Sequence, residues 1–105
     1  MAVGQCYPFR GMAGRPGRPP RISLAPGLDV PRVLTGLWQV ADMERDGRPL
    51  DPDAAARALG DYAEAGFDAF DMADHYGSAE LLVGRHLAKA GPSGATALPK
   101  WCPPP

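Results

Sequence analysis

Residues 66–80 read Gly66-Phe67-Asp68-Ala69-Phe70-Asp71-Met72-Ala73-Asp74-His75-Tyr76-Gly77-Ser78-Ala79-Glu80. The first half predicts a short strand over 67–72, with Phe67, Ala69 and Asp71 on one face and Phe70 and Met72 on the other. One face of that strand therefore ends in an acid, Asp71. Tyr76-Gly77-Ser78 reads as a turn with Ser78 as a candidate N-cap. Leu81, Leu82, Val83, Leu87 and Ala88 then recur at helical spacings until Gly91. A helix over 79–90 is predicted. This strand–loop–helix unit puts a carboxylate at the strand's C-terminal end and a tyrosine five residues on, where α/β folds carry their active sites.

The pattern repeats on either side. Upstream, Val33-Leu34-Thr35-Gly36-Leu37-Trp38-Gln39-Val40 is apolar, β-branched and aromatic, which predicts a strand buried on both faces. Residues 41–51 are polar, with Asp46-Gly47 as a turn signal. A helix over 52–65 follows. Asp51 is its N-cap, Pro52 sits where a missing N–H costs nothing, and Asp53 complements the positive end of the dipole. Ala55, Leu59, Tyr62 and Ala63 form its apolar stripe and Gly66 its stop. Downstream, Pro92-Ser93-Gly94 is a loop, and Ala95-Thr96-Ala97-Leu98 a third strand that reaches Pro99-Lys100-Trp101. Strand, helix, strand, helix, strand implies right-handed crossovers and a parallel sheet. Such a sheet needs cover on both faces, which three strands and two helices do not supply, so the chain is expected to be the beginning of a larger domain.

The 105 residues allow one small domain. Thirteen Gly and thirteen Pro are concentrated toward the ends, and residues 1–31 offer few core formers, so they are expected to be a disordered tail. That tail carries Arg10, Arg15, Arg18 and Arg21 but, among its first 28 residues, no acid. With only Ser23 as a serine it fits a plain tail better than an organelle transit peptide, and the expected compartment is the cytoplasm. Pro16-Gly17-Arg18-Pro19-Pro20-Arg21 has a weak PxxPxR form that aromatic grooves read. Eleven basic against twelve acidic residues give a net charge of −1, which favours neither nucleic acid nor an anionic membrane. No apolar run reaches the ~20 residues of a membrane-spanning helix. Cys6 and Cys102 lack paired spacing and read as free thiols.

The segment Asp71-Met72-Ala73-Asp74-His75-Tyr76-Gly77, followed by Glu80 and Val83-Gly84, strongly resembles the aldo-keto reductase signature. Gly36-Leu37-Trp38-Gln39 is similar to that family's first-strand segment, and Leu98-Pro99-Lys100-Trp101 to its third-strand lysine segment. The resemblance covers residues 32–105. It implies the first part of a (β/α)8 TIM barrel, about two βα units and a third strand, whose full-length form reduces aldehydes or ketones with NADPH. It further implies that Tyr76 is the general acid, that Asp71 and Lys100 tune it, and that Gly36, Trp38 and Asp71 lie toward the cofactor. The chemical need is plain, because a free phenol has a pKa near ~10 and is a poor proton donor at neutral pH. A nearby lysine cation lowers that value and an aspartate holds the lysine.

Three positions depart from the family pattern: Met72 stands where Thr or Ser is usual, Pro99 where Thr is frequent, and Leu37 where a Thr follows the glycine. A barrel also needs about 250 residues, and the family's fourth-strand histidine and later cofactor segments have no counterpart here. Away from the family pattern, Asp71 reads as a capping acid, Tyr76 as a turn aromatic and Lys100 as a solvated charge. Gly11, Gly14 and Gly17 follow no strand, which excludes a Rossmann fingerprint. Asp71, Asp74, His75 and His86 lack metal-ligand spacing, so no metal site is expected. The competing expectation is a non-catalytic truncated or degenerate copy that acts through exposed sheet edges, with self-association of the 105-residue chain.

Overall fold

A computed structural model describes residues 17–41 and 47–105. Its elements in chain order are β1 (Arg21–Ala25), β2 (Leu28–Pro31), β3 (Thr35–Gly36), α1 (Pro52–Glu64), β4 (Ala69–Asp71), α2 (Ala79–Ala90) and β5 (Thr96–Leu98). β1 and β2 form an antiparallel hairpin, while β3, β4 and β5 form a parallel sheet in that order. The second sheet with its two helices is the strand–helix alternation expected from the sequence.

α1 begins where its N-terminal residues dictate. The Asp51 carboxylate accepts the backbone N–H groups of Asp53 and Ala54 at 3.0 and 3.1 Å, and Pro52 occupies the first turn. Those two hydrogen bonds hold the Asp51 carboxyl below its ordinary pKa, the Ala54 amide acting most strongly. At the other end Gly66 has φ +99°, and a Cβ there would come within 2.6 Å of the Pro19 ring. Only glycine meets both demands. Ala55, Ala56 and Leu59 face the core, whereas Tyr62, expected on that stripe, is half exposed.

α2 spans the predicted residues, with Leu82 and Val83 of the expected stripe buried and Leu87 packed against the core. Ala79, Leu82, Val83 and His86 are buried, an i, i+3, i+4, i+7 set, and Leu81 is 76% exposed. The sequence could not separate these two overlapping stripes by hydrophobicity because the buried one includes a histidine. His86 packs edge-on to Phe70, with ring centroids 6.1 Å apart. Ser78 makes no side-chain cap, and its hydroxyl is buried without a partner. The Ala79 N–H instead donates to the Tyr76 carbonyl at 2.9 Å.

The strands are shorter than expected. The run 33–40 yields only Thr35–Gly36, because β4 offers three residues to pair with and the chain turns after Leu37, where the Ala41 N–H donates to the Leu37 carbonyl at 3.1 Å. Leu37 and Ala41 are fully buried by that turn, while Val33 and Leu34 are exposed, so the run is not a strand covered on both faces. Leu37, Leu59, Phe70, Met72, Leu82 and Val83 make the core between sheet and helices.

The expectation of a disordered tail over 1–31 is corrected at residues 21–31, which form the β1–β2 hairpin. Its anchor is Arg21. The guanidinium bonds Asp29 at 2.6 Å within the hairpin and reaches across to Asp68 at 2.8 Å and the Gly66 carbonyl at 3.3 Å. These are contacts between residues up to 47 apart, invisible to local composition. They also occupy the arginine that the PxxPxR reading needed. Residues 1–16, including Cys6 and Pro16, and the acid of the Asp46-Gly47 turn lie outside the described residues.

The buried faces make a direct comparison available. Leu59→Ala, at a position 1% exposed, should lower unfolding free energy by about 2–5 kcal/mol. Leu81→Ala should change it by less than about 0.5 kcal/mol. Urea denaturation followed by circular dichroism measures both, and equal losses would contradict the assigned helix faces.

Candidate active site

The parallel ladder does not stop at the strand ends. Beyond β4 and β5 the Met72 N–H donates to the Leu98 carbonyl (3.1 Å), the Lys100 N–H to the Met72 carbonyl (3.1 Å) and the Asp74 N–H to the Lys100 carbonyl (3.0 Å). On the other side the Leu37 N–H donates to the Asp71 carbonyl at 3.1 Å. The segments that follow all three strands are thus stitched together at the C-terminal mouth of the sheet, and their side chains have little freedom to drift apart.

Asp71 closes β4 and Lys100 lies two residues past β5. Lys100 Nζ donates to Asp71 Oδ1 at 2.6 Å, with both side chains partly exposed. The same ammonium lies over the Tyr76 ring, 5.2 Å from its centroid, within cation–π range. The hydrogen bond that Lys100 donates to Asp71 is the main reason that the Lys100 pKa is raised above the ordinary lysine value, with desolvation opposing and the charges of Asp71, Tyr76 and Cys102 adding.

Tyr76 is fixed from the other side by aromatic packing. The half-buried Trp38 stands edge-on to it with centroids 5.0 Å apart and planes at 84°, and His75 packs edge-on at 4.9 Å. These T-shaped contacts are the favoured geometry for aromatic quadrupoles and hold the phenol in one orientation. Gly36 pairs in register with Asp71, is exposed, and has open space where a Cβ would project. The structure therefore brings Gly36, Trp38, Asp71, Tyr76 and Lys100 to one place. A separate cavity of about 360 Å³ opens beside the N-terminus of α1, lined by Gln39, Val40, Leu50, Asp51 and Ala54 among others; none of Asp71, Tyr76 and Lys100 lines it.

One grouping at this mouth has no counterpart in the sequence pattern. Asp74, whose spacing gave no metal-ligand pattern, accepts the Cys102 N–H at 3.0 Å and contacts His75 Nδ1 at 3.2 Å, and these bonds, the Cys102 amide first, hold its pKa below the usual carboxylate range. The separation of 28 positions between Asp74 and Cys102 hid that contact; the signal lay in pairing the segments after the second and third predicted strands.

The aldo/keto reductase family model matches residues 32–97, well over half of the sequence. No curated protein and no solved structure matches. The chain belongs to the aldo/keto reductase family. The match includes Gly36, Trp38, Asp71 and Tyr76 and ends three residues before Lys100, which the β5 ladder carries to Asp71.

The ion pair has a consequence for titration. A lysine whose folded pKa is raised contributes stability that is complete below the free value of about 10.4 and is lost as pH climbs through the folded value. Asp71→Asn should return the Lys100 pKa toward the free value and remove this alkaline dependence. NMR titration of the Lys100 side chain checks it; an unchanged pKa would show that Asp71 is not the cause.

Proposed function

We propose that this chain supplies the proton-donating half of an NADPH-dependent carbonyl reductase site, within a polypeptide that completes the barrel with further strands. Membership of the aldo/keto reductase family supports an oxidoreductase-like function. The observation that carries the finer reading is the convergence of Asp71, Tyr76 and Lys100, with the ammonium bonded to the carboxylate and seated over the phenol ring.

In this reading Tyr76 donates its phenolic proton to the substrate oxygen as negative charge develops there. The Lys100 cation, seated over the ring, offsets the negative charge left on the phenolate. Asp71 orients the ammonium and balances its charge, so that the lysine serves as a fixed dipole partner rather than a mobile cation. Trp38 keeps the phenol from rotating away and walls one side of the substrate's approach.

The open space over Gly36, which pairs in register with Asp71 and precedes Trp38 by two residues, is compatible with a flat cofactor ring, and these three residues would hold its reactive end. When bound, NADPH supplies the hydride to the carbonyl carbon. The substrate is accordingly a small aldehyde or ketone. No helix among the described residues is long and apolar enough to cross a membrane.

The open edges of β3 and β5 favour completion by neighbouring strands, and they are also where a non-catalytic copy would bind a partner. Activity separates the two. In a natural polypeptide containing these residues and a complete barrel, Tyr76→Phe should lower kcat for aldehyde reduction by about 10²–10⁴-fold, the usual worth of a general acid, with cofactor affinity little changed. Cofactor oxidation with an aldehyde substrate measures it. Near-normal turnover would remove Tyr76 from the role given to it, and absence of activity in the parent protein would favour the non-catalytic copy.

A further inference from the structure

We propose that Asp74, His75 and Cys102 form a binding site for a thiophilic divalent cation of the zinc class at the mouth of the parallel sheet. One donor atom from each side chain lies within 4.8 Å of the others, and all three residues are exposed and reachable from solvent. Carboxylate, imidazole and thiolate together are a donor set suited to zinc, softer than the all-oxygen sets preferred by magnesium or calcium.

The backbone assembles this site independently of any ion. The Asp74 N–H bonds the Lys100 carbonyl, and the Cys102 N–H bonds Asp74 Oδ2, so the loop after β4 and the segment after β5 are cross-tied at the ligands themselves. With Oδ2 engaged by the Cys102 N–H, Oδ1 faces His75 Nδ1, and the cation would take the place of the proton between them. Oδ1 lies 3.2 Å from His75 Nδ1, close to the roughly 3.3 Å expected for two ligands with bonds of about 2.0–2.1 Å on one tetrahedral ion. The Cys102 thiol is exposed and lies within 4.8 Å of the other two donor atoms, so a side-chain rotation can bring it to its own bond length of about 2.3 Å.

The charges also balance. Binding breaks the Cys102 S–H bond, with the proton released to solvent, and forms a metal–sulfur bond; His75 binds as the neutral imidazole. Carboxylate and thiolate then offset the 2+ charge of the ion. Three protein donors leave a fourth position for water. His75 packs against Tyr76, so an occupied site would pin the loop that carries the phenol. The site does not depend on the reductase reading, because none of its ligands is Asp71, Tyr76 or Lys100.

The test uses Co²⁺ as a spectroscopic probe of the reduced 105-residue chain. The expected result is a thiolate-to-cobalt charge-transfer band with the strong visible bands of a tetrahedral site, bleached when Zn²⁺ displaces the cobalt. Cys102→Ser should abolish the charge-transfer band. His75→Asn and Asp74→Asn should each weaken binding by about tenfold or more, at least the cost of removing a ligand's outer-shell partner. Cys6→Ser should leave the spectrum intact. All three ligands are exposed, so these variants should fold, which circular dichroism checks. Absence of the band, its persistence in Cys102→Ser, its loss in Cys6→Ser, or unchanged affinity in both His75→Asn and Asp74→Asn would overturn the proposal.

Discussion

Everything at the candidate site hangs on the backbone ladder that runs past the ends of β4 and β5. Strands of three residues each are too short to orient a catalytic group by themselves. The additional bonds joining Met72 to Leu98, Lys100 to Met72 and Asp74 to Lys100 extend the pairing to the candidate residues that follow the strands. Asp71 and Lys100, 29 positions apart, meet at 2.6 Å because that ladder sets their register. The aromatic packing of Trp38 then closes the group around Tyr76.

The same ladder explains two departures from the family pattern. Pro99 lacks a backbone donor, yet the bonds to the β4 side are made by the Leu98 carbonyl and the Lys100 N–H on either side of it. In a parallel pair the intervening residue turns its own groups the other way, toward the open edge of β5, where a missing N–H breaks no bond of this sheet. Met72, where the family usually has a hydroxyl, is 2% exposed and part of the core. The position after Asp71 thus serves packing here, while the carboxylate beside it remains directed to Lys100.

How much of this was legible beforehand depended on whether the governing interaction was local. α1 was readable almost to the residue because Asp51, Pro52 and Gly66 act within a few positions of themselves. The parallel order followed from alternation alone, and the site residues from their spacing against a known family signature. The hairpin was missed because Arg21 gains its partners at Asp68 and Gly66, far along the chain. The inward face of α2 was legible at Leu82 and Val83 but not at His86, a buried histidine that hydrophobicity would not have chosen over Leu81. The Asp74–His75–Cys102 cluster depended on strand register, which no local pattern contains.

Site-resolved hydrogen exchange on the 105-residue chain tests the central claim most directly. If the extended ladder positions the site, the amides of Met72, Asp74 and Lys100 should be protected to the same degree as those within β4, since they belong to one cooperative unit. Exchange of these three amides at the rate of an open chain, with β4 still protected, would show that the ladder ends with the strands and that Asp71 and Lys100 are brought together by nothing more than their own ion pair.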